Sequence, residues 1–335
     1  AGFNIVAREN DNLSGYGDDI IIPELYNLYN FLDQDVSGDL TEKRRLMGLY
    51  AQATVGYKEW AYLNLTGRND WSSTLPKDRN SYFYPSAALS FVFTEALGWQ
   101  NQWLDYGKLR LSVAKVGSDA PPYRLRTTYS GAGNVEWPFN GTQGFLQSNS
   151  LGNPILKPES TTEYEIGTDL RFLQGRATLE LSYYDKRSYD QIFSVPSTPS
   201  TGYSSITRNA GDLRNKGWEA TLQTVPFQSP NARWDMRVNW TKNTSTVEKL
   251  APGVVSIYLA GYSWPNIQIM ADEPYGVIWG NGFERTDDGQ VVIDDDPTSS
   301  TYGWPVMDDE LIVLGNTQPD WHGNLYSSFR YGPFT

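Results

Sequence analysis

The chain has 335 residues with 27 Lys and Arg against 39 Asp and Glu, a formal net charge of -12. This acidic balance argues against nucleic acid as a partner, because phosphate binding requires a basic face. Cysteine is absent, which excludes both a disulfide framework and a thiolate metal site.

The connections between the predicted strands alternate in length along the chain. Short links are predicted at 57–60, 96–105, 173–175, 227–231 and 331–333. Longer polar links are predicted at 68–81, 117–161, 189–216 and 247–309. Barrels of outer membranes keep short turns on the periplasmic side and long loops outside. We therefore expect the loops 117–161, 189–216 and 247–309 to be extracellular, and residues 1–335 to be part of one transmembrane barrel domain.

Apolar and polar residues alternate with a period of two in several segments. The clearest are 163–172, 177–184, 218–223 and 233–243. Such a period places the apolar side chains on one face of a strand and the polar ones on the other. The polar face is expected to carry the acids Glu165, Asp169, Glu180 and Asp235 and the bases Arg171 and Arg237.

This period fits two all-β folds, a sandwich with its apolar face in a core and a barrel with that face in lipid. The predicted strands are about 10 to 13 residues long, nearer to a tilted membrane strand than to a globular one. Aromatic residues such as Tyr57 and Trp60 stand near strand ends, where interfacial girdles lie. Together with the alternating links, these features favour an antiparallel up-and-down transmembrane β-barrel over the sandwich.

Six groups of short phrases follow one another along the chain. They read DVSGDLTEKRR (35–45), GRNDWSSTLP (67–76) with SYFYPS (81–86), LDYGKLRLS (104–112) with VG (116–117), NPILKPE (153–159) with EYEIG (163–167), NAG (209–211) with NKGWE (215–219), and GN (315–316) with PDW (319–321). In this order they resemble the SusC/RagA family of TonB-dependent outer-membrane transporters. The phrase at 153–167 is the most diagnostic.

The resemblance implies a function and its partners. In that family a plug domain sits inside a barrel of about 22 strands, of which this chain is expected to supply about nine. A large nutrient, a glycan or a peptide, is imported across the bacterial outer membrane. The expected partners are a SusD-like surface lipoprotein over the mouth, a TonB-type energy transducer that acts through an N-terminal part not visible here, and outer-membrane lipid. Since no substrate bond is broken, the resemblance implies no enzyme activity, no catalytic residue and no cofactor.

Two alternatives stay open at this point. One is a secreted or surface-bound β-sandwich that binds or cleaves glycans, which would need no detergent to stay in solution. The other is a SusC-like barrel with an accessory or assembly role, in which the fold is kept without transport.

Aromatic side chains of the long loops are the candidates for ligand contact, because loops on a rigid scaffold commonly carry binding. They are Trp137, Tyr203, Tyr262, Trp264, Trp279 and Trp304. For any one of them, packing against the loops or a partner is the simpler interpretation.

Metal binding is not predicted. Residues 33–39 begin like a calcium loop, but position twelve is Arg44 where a bidentate Glu is required, so a polar turn is the expectation. The acidic runs 287–289 and 294–296 are expected to be solvated, although a divalent cation remains an alternative there. His322 is the only histidine and is expected to be structural or exposed.

Overall fold

The computed structural model describes residues 1–99, 101, 103–131, 142 and 144–334, leaving aside the side chains at 14, 35–40, 130 and 131. The strands are β1 (Gly2–Ile20), β2 (Phe31–Tyr57), β3 (Ala61–Ser72), β4 (Ser81–Val92), β5 (Leu104–Ser118), β6 (Tyr129–Gly131), β7 (Phe145–Gln147), β8 (Ser150–Leu151), β9 (Glu159–Phe172), β10 (Ala177–Pro196), β11 (Ser205–Gln228), β12 (Ala232–Leu250), β13 (Ser256–Gly261), β14 (Asn266–Met270), β15 (Val277–Phe283), β16 (Met307–Asn316) and β17 (His322–Tyr331).

Helical structure is sparse in the described chain. The segments are the α-helix α1 (Phe93–Ala96) and two 3-10 turns, Leu28–Asn30 and Pro199–Thr201. Among the described residues, no helix is long and apolar enough to span a membrane.

One large sheet contains all the long strands. Its order is β1-β2-β3-β4-β5-β9-β10-β11-β12-β17, each strand antiparallel to its neighbours, and the short β8 pairs in parallel with β11. Strands that follow one another in this order are joined directly or by an excursion that returns to the same edge. The predicted up-and-down antiparallel sheet is therefore confirmed, with ten strands in place of the expected nine or so.

In the half of the main sheet that contains the tight links between strands, one face is apolar and the other is polar. Leu111 pairs with Ile166 across β5 and β9, and Leu222 pairs with Val238 across β11 and β12. These side chains remain between 38% and 47% exposed, and no second sheet covers them in the part of the chain that the structure describes. The sandwich alternative is therefore wrong, since a sandwich would bury this face.

Tight links join the strands at one end of the sheet, called the turn end below. Between β2 and β3, Lys58 and Glu59 have positive φ angles of 45° and 60°, and the Trp60 amide donates to the Tyr57 carbonyl. Positive φ at both central residues is the signature of the hairpin turn that matches strand twist. The rings of Tyr57 and Trp60 meet edge to face at 5.2 Å, which places aromatic side chains at this rim.

The opposite end, called the loop end, differs from the sequence-based expectation in two places. The predicted loop 189–216 is mostly strand, because β10 continues to Pro196 and β11 begins at Ser205. Register shifts around Gln191 and a positive φ at Asp190 interrupt the alternation there without ending the pairing. The predicted loop 117–161 corresponds to the interval between Ser118, where β5 ends, and Glu159, where β9 begins, and this interval contains the short strands β6, β7 and β8.

The predicted loop 247–309 is a folded unit. Strands β13 to β16 form a separate four-stranded antiparallel sheet, called the cap sheet below. A hydrophobic core joins it to the upper parts of β10, β11 and β12; its buried members are Val195, Ala210, Leu213, Val247, Leu250, Ile257 and Ile269. The segment after β14 also pairs with the edge of β12 beyond the last pair of β12 with β17. There the Val247 amide donates to the Glu273 carbonyl, and the Val247 carbonyl accepts from the Asp272 amide.

A charge placed on the apolar face should impair assembly. Leu111→Arg in the full-length protein puts a guanidinium near the middle of the apolar face. It is expected to lower the free energy of unfolding in a bilayer by about 2 to 4 kcal/mol. Ser112→Arg is the matched control, because Ser112 lies on the polar face opposite Glu165. Urea unfolding in lipid vesicles should show the lower free energy of unfolding for Leu111→Arg alone. An equal decrease for both variants would contradict the assignment of faces.

Candidate functional site

Charged side chains form a connected network on the polar face of β5, β9 and β10. Lys108 Nζ lies 2.5 Å from Asp169 Oδ2, and Arg110 Nε lies 3.1 Å from Asp169 Oδ1. Arg110 Nη2 also donates to Ser182, whose hydroxyl donates to Glu165. The charged side chains of this network are between 22% and 36% exposed, so this part of the polar face is in contact with water.

A second network ties the loop end together around a single carboxylate. Asp119 follows β5 directly, and its side chain is only 4% exposed. It accepts hydrogen bonds from Arg44 Nε at 2.8 Å and Nη2 at 2.5 Å, from the Ser72 hydroxyl, and from Thr74 Oγ1 at 3.1 Å. Because Arg44 is on β2 and Ser72 ends β3, one residue connects three parts of the loop end.

Hydrophobic contacts reinforce this connection. Leu75, Ala120 and Leu156 are buried together beside Asp119, and Leu125 packs against them. The hydroxyl of Tyr123 donates to the Thr41 carbonyl of β2. The start of the long connection between β5 and β9 is thereby held against the β3–β4 link.

The ionisation of Asp119 follows from these contacts. Burial alone would raise the pKa of this carboxyl, but the hydrogen bonds from Arg44 and Ser72, with the Arg44 charge, lower it below its ordinary 3.8. The charged form is thus favoured in the folded protein. The pair with Arg44 stabilises the loop end above pH 3.8, and this contribution is lost as the pH falls through the folded-state pKa.

The structure places the predicted ligand aromatics in different surroundings. Tyr262 is 84% exposed, Trp304 is 69% exposed and Trp264 is 48% exposed, all within or beside the cap sheet. The hydroxyl of Tyr203 accepts a hydrogen bond from the Gln147 amide, which links the β10–β11 connection to β7. Trp137 lies outside the described residues.

One of these aromatics was assigned to the wrong kind of element. Trp279 lies on strand β15, paired with Asn266 and Val313, and is only partly exposed. The Gly-rich and Asn-rich neighbourhood of Trp279 is typical of loops, but those small residues accompany close packing, as at Gly280 beside Pro265 and Leu314. Tyr262, Trp264 and Trp304 thus remain the exposed members of the predicted set at the cap.

The acidic runs have partners within their own turns. Asp288 accepts from the Thr286 hydroxyl and from Gln290, and Asp294 accepts from Thr301 and from the Asp296 amide. Hydrogen bonds of this kind lower the pKa of Asp288 and of Asp294. Within the described residues, no group of three or more acidic or histidine side chains is arranged to hold a metal ion.

The predicted polar turn at residues 33–39 is wrong, because the backbone there is part of β2 and pairs with β1. His322 is exposed at the start of β17.

Sequence reasoning missed Asp119, Arg44, Lys108 and Arg110 as parts of networks. The polar position of Lys108 and Arg110 on β5 was readable from the period of two, but their partners on β9 depend on strand register. Asp119 gave no signal, because a single carboxylate after a strand is typical of an exposed turn.

Comparison with known proteins gives a consistent result. The family model described as TonB dependent receptor-like, beta-barrel, matches residues 3–335. TonB-dependent receptor P26 of Formosa agariphila is 30% identical over 310 residues, covering 87% of this chain. TonB-dependent receptor SusC of Bacteroides thetaiotaomicron is 31% identical over 204 residues, covering 58% of this chain and 20% of that protein.

The fold matches a solved transporter. The RagAB peptide importer in its closed-closed state superposes with a TM-score of 0.75 at 16% identity, covering 98% of this chain and 37% of that one. The chain likewise spans 30% of the length of the P26 receptor. The chain thus matches only a part of the length of each of these proteins.

Removal of the Asp119 charge should loosen the loop end. Asp119→Asn in the full-length protein loses the pair with Arg44, which should cost about 1 to 3 kcal/mol and speed local amide exchange by roughly 5- to 150-fold. Hydrogen-exchange mass spectrometry at about pH 7 should show this for residues 72–76 and 119–125. Asp78→Asn is the control, because the Asp78 side chain is 76% exposed.

Acidification should reproduce the effect in the unaltered protein. After correction for intrinsic exchange rates, the same peptides should keep their protection down to about pH 4 and lose it as the pH falls further through the folded-state pKa of Asp119, because the carboxyl is then protonated. Asp119→Asn should show a smaller change over this range. Equal pH responses in the two proteins would exclude Asp119 as the titrating group.

Proposed function

The chain belongs to the TonB-dependent receptor-like β-barrel family, and we propose that it forms part of the wall of an importer that admits a large polar nutrient. Because the chain is a member of this family, it is an outer-membrane protein. Its similarity to SusC and the fold that it shares with RagAB agree with this location.

The observation that carries the proposal is the division of one sheet into two faces. The apolar face, with Leu111, Ile166 and Leu222, suits contact with lipid. The opposite face carries the ion-paired network of Lys108, Arg110 and Asp169, which suits a water-filled lumen. In a barrel wall both requirements are met by alternation along each strand.

We assign the loop end to the outside of the cell. Outer-membrane barrels keep short turns in the periplasm and long loops outside, and the long excursions from β5 to β9 and from β12 to β17 both leave from this end. The cap sheet and the Asp119 network would then form the outer mouth, where a ligand and a SusD-like lipoprotein would meet the barrel.

A glycan or a peptide is the substrate class that we favour. The exposed rings of Tyr262, Trp264 and Trp304 can stack on sugars or on peptide side chains, and they stand at the proposed mouth. The similarity to SusC and the fold shared with a peptide importer support the same two classes. Energy would come from a TonB-type transducer that acts through another part of the polypeptide.

Deletion of the full-length gene tests the function. The deletion strain should lose growth on either an oligosaccharide mixture or a peptide mixture as the limiting nutrient, and the unaltered gene should restore it. Mild-detergent extraction of the native membrane should co-purify a SusD-like lipoprotein in a stoichiometric amount. Normal growth on both mixtures, with other stable partners in place of the lipoprotein, would instead favour the accessory or assembly role.

Loss of the cap aromatics should weaken ligand capture. Tyr262→Ala combined with Trp264→Ala removes two stacking surfaces and is expected to weaken binding of the growth-limiting mixture by roughly 5- to 20-fold in the purified full-length protein. The control combines Trp99→Ala with Trp103→Ala, which are 48% and 72% exposed at the turn end. If the control variant loses as much binding as the cap variant, the cap is not the capture site.

A further inference from the structure

Five basic side chains stand together on the apolar face of the main sheet, just above its lipid-facing belt. They are Lys115, Arg187, Arg214, Lys216 and Lys242, called the basic rim below. Strand register brings them together, because Lys115 and Arg187 both pair with Thr162, and Arg187 pairs with Arg214. Lys115, Arg187, Arg214 and Lys216 are each an even number of residues from an outward-facing side chain of the same strand, which is Leu111, Tyr183 or Trp218. They therefore face outward as well, and so does Lys242, which pairs with Trp218.

The basic rim lies at the height of a membrane surface. Lys242 follows Ala232, the first residue of β12, by ten positions. At about 3.3 Å per residue and a tilt of about 40°, this is roughly 25 Å above the turn end, which equals the height of the apolar band of such barrels. The rings of Tyr183 and Trp218, 4.8 Å apart, lie just below, as expected for an interfacial girdle.

The charge of the rim is only partly compensated. Arg214 pairs with Asp185 at 2.5 Å and with Glu248 at 3.5 Å, and Arg187 lies 3.9 Å from Glu248. Among the described residues, no carboxylate lies within 4 Å of Lys115, Lys216 or Lys242. Five cations against two anions leave the rim three charges positive on a chain whose formal charge is -12.

An apolar groove leads up to the rim on the same face. It has a volume of about 540 Å³ and is lined by Leu63, Ala87, Leu111, Val113, Ile166 and Tyr183 among others. The small side chain of Ala87, which pairs with Leu65 and Val113, is part of this lining. The groove reaches Asp185, which the rim residue Arg214 holds.

We propose that the basic rim and this groove form a binding site for one phosphate-bearing lipid of the outer leaflet. The phosphate would be held by Lys216 and Lys242 beside Arg187 and Arg214, and one acyl chain would lie along the groove. Arg and Lys at a membrane surface attract anionic headgroups, and the apolar lining suits a hydrocarbon chain. The inference rests on the proposed outward position of the loop end.

Lipid retention by the purified full-length protein tests the site. The protein is reconstituted in nanodiscs of phosphatidylcholine with a small fraction of diphosphorylated lipid A, released into detergent, and examined by native mass spectrometry. Bound lipid A is expected on the unaltered protein. Lys216→Gln combined with Lys242→Gln should reduce its retention about 10- to 30-fold.

A matched variant controls for the change of charge. Lys186→Gln combined with Lys249→Gln also removes two lysines, one on the other face of β10 opposite Asn215 and one near the loop end of β12 opposite Asp212, and it should retain lipid as the unaltered protein does. Ala87→Phe, which fills the groove, should also reduce retention. Both rim and groove variants are first checked for heat-modifiable migration, which reports an assembled barrel.

Other probes separate a lipid site from a phosphate site. Equal retention of dephosphorylated lipid A would overturn the role of the rim, and equal binding of inorganic phosphate would overturn the role of the groove. Equal retention by the Lys216→Gln, Lys242→Gln protein and its control would overturn the site as a whole. Retention is measured without substrate or lipoprotein, so failure of the import proposal would not change this readout.

Discussion

The structure depends on one constraint, which is that backbone amide and carbonyl groups in hydrocarbon must find partners within the protein. The ten strands of the main sheet meet it by continuous antiparallel pairing, from Gly2 opposite Tyr50 at one edge to Thr241 opposite His322 at the other. In the described chain β1 and β17 each have a single neighbour in this sheet. In a membrane those edges require further strands, in agreement with a chain that covers 37% of the RagAB chain it resembles.

At the loop end the constraint changes because water can satisfy the backbone. Bulges appear near Gln191, β17 no longer accompanies β12, and a second sheet folds over the upper strands. Stability there comes from local cores and from buried charge, as at Val247 and Asp119. The same sheet thus combines a lower part fixed by pairing with an upper part fixed by side-chain contacts.

The two faces of the sheet use charge in different ways. On the polar face Lys108 and Arg110 are both paired with Asp169. On the outward face the basic rim has more cations than anions, and the neutralising groups would have to come from outside the protein. The wall therefore carries an ion-paired network near the turn end of its polar face and an excess of cations at the rim of its outward face.

The sequence by itself determined the class of fold and the faces of the strands, because alternation along β9 to β12 is a local property that lipid on one side and water on the other impose on each strand. It also located the tight turn after Tyr57, where two residues adopt positive φ. Only the tertiary structure decided where β10 and β11 end, that Trp279 belongs to a strand, and that Arg44 reaches Asp119, 75 residues away. These features depend on strand register and on contacts between distant segments. At the loop end, lipid no longer requires apolar and polar residues to alternate, so the local sequence pattern does not predict them.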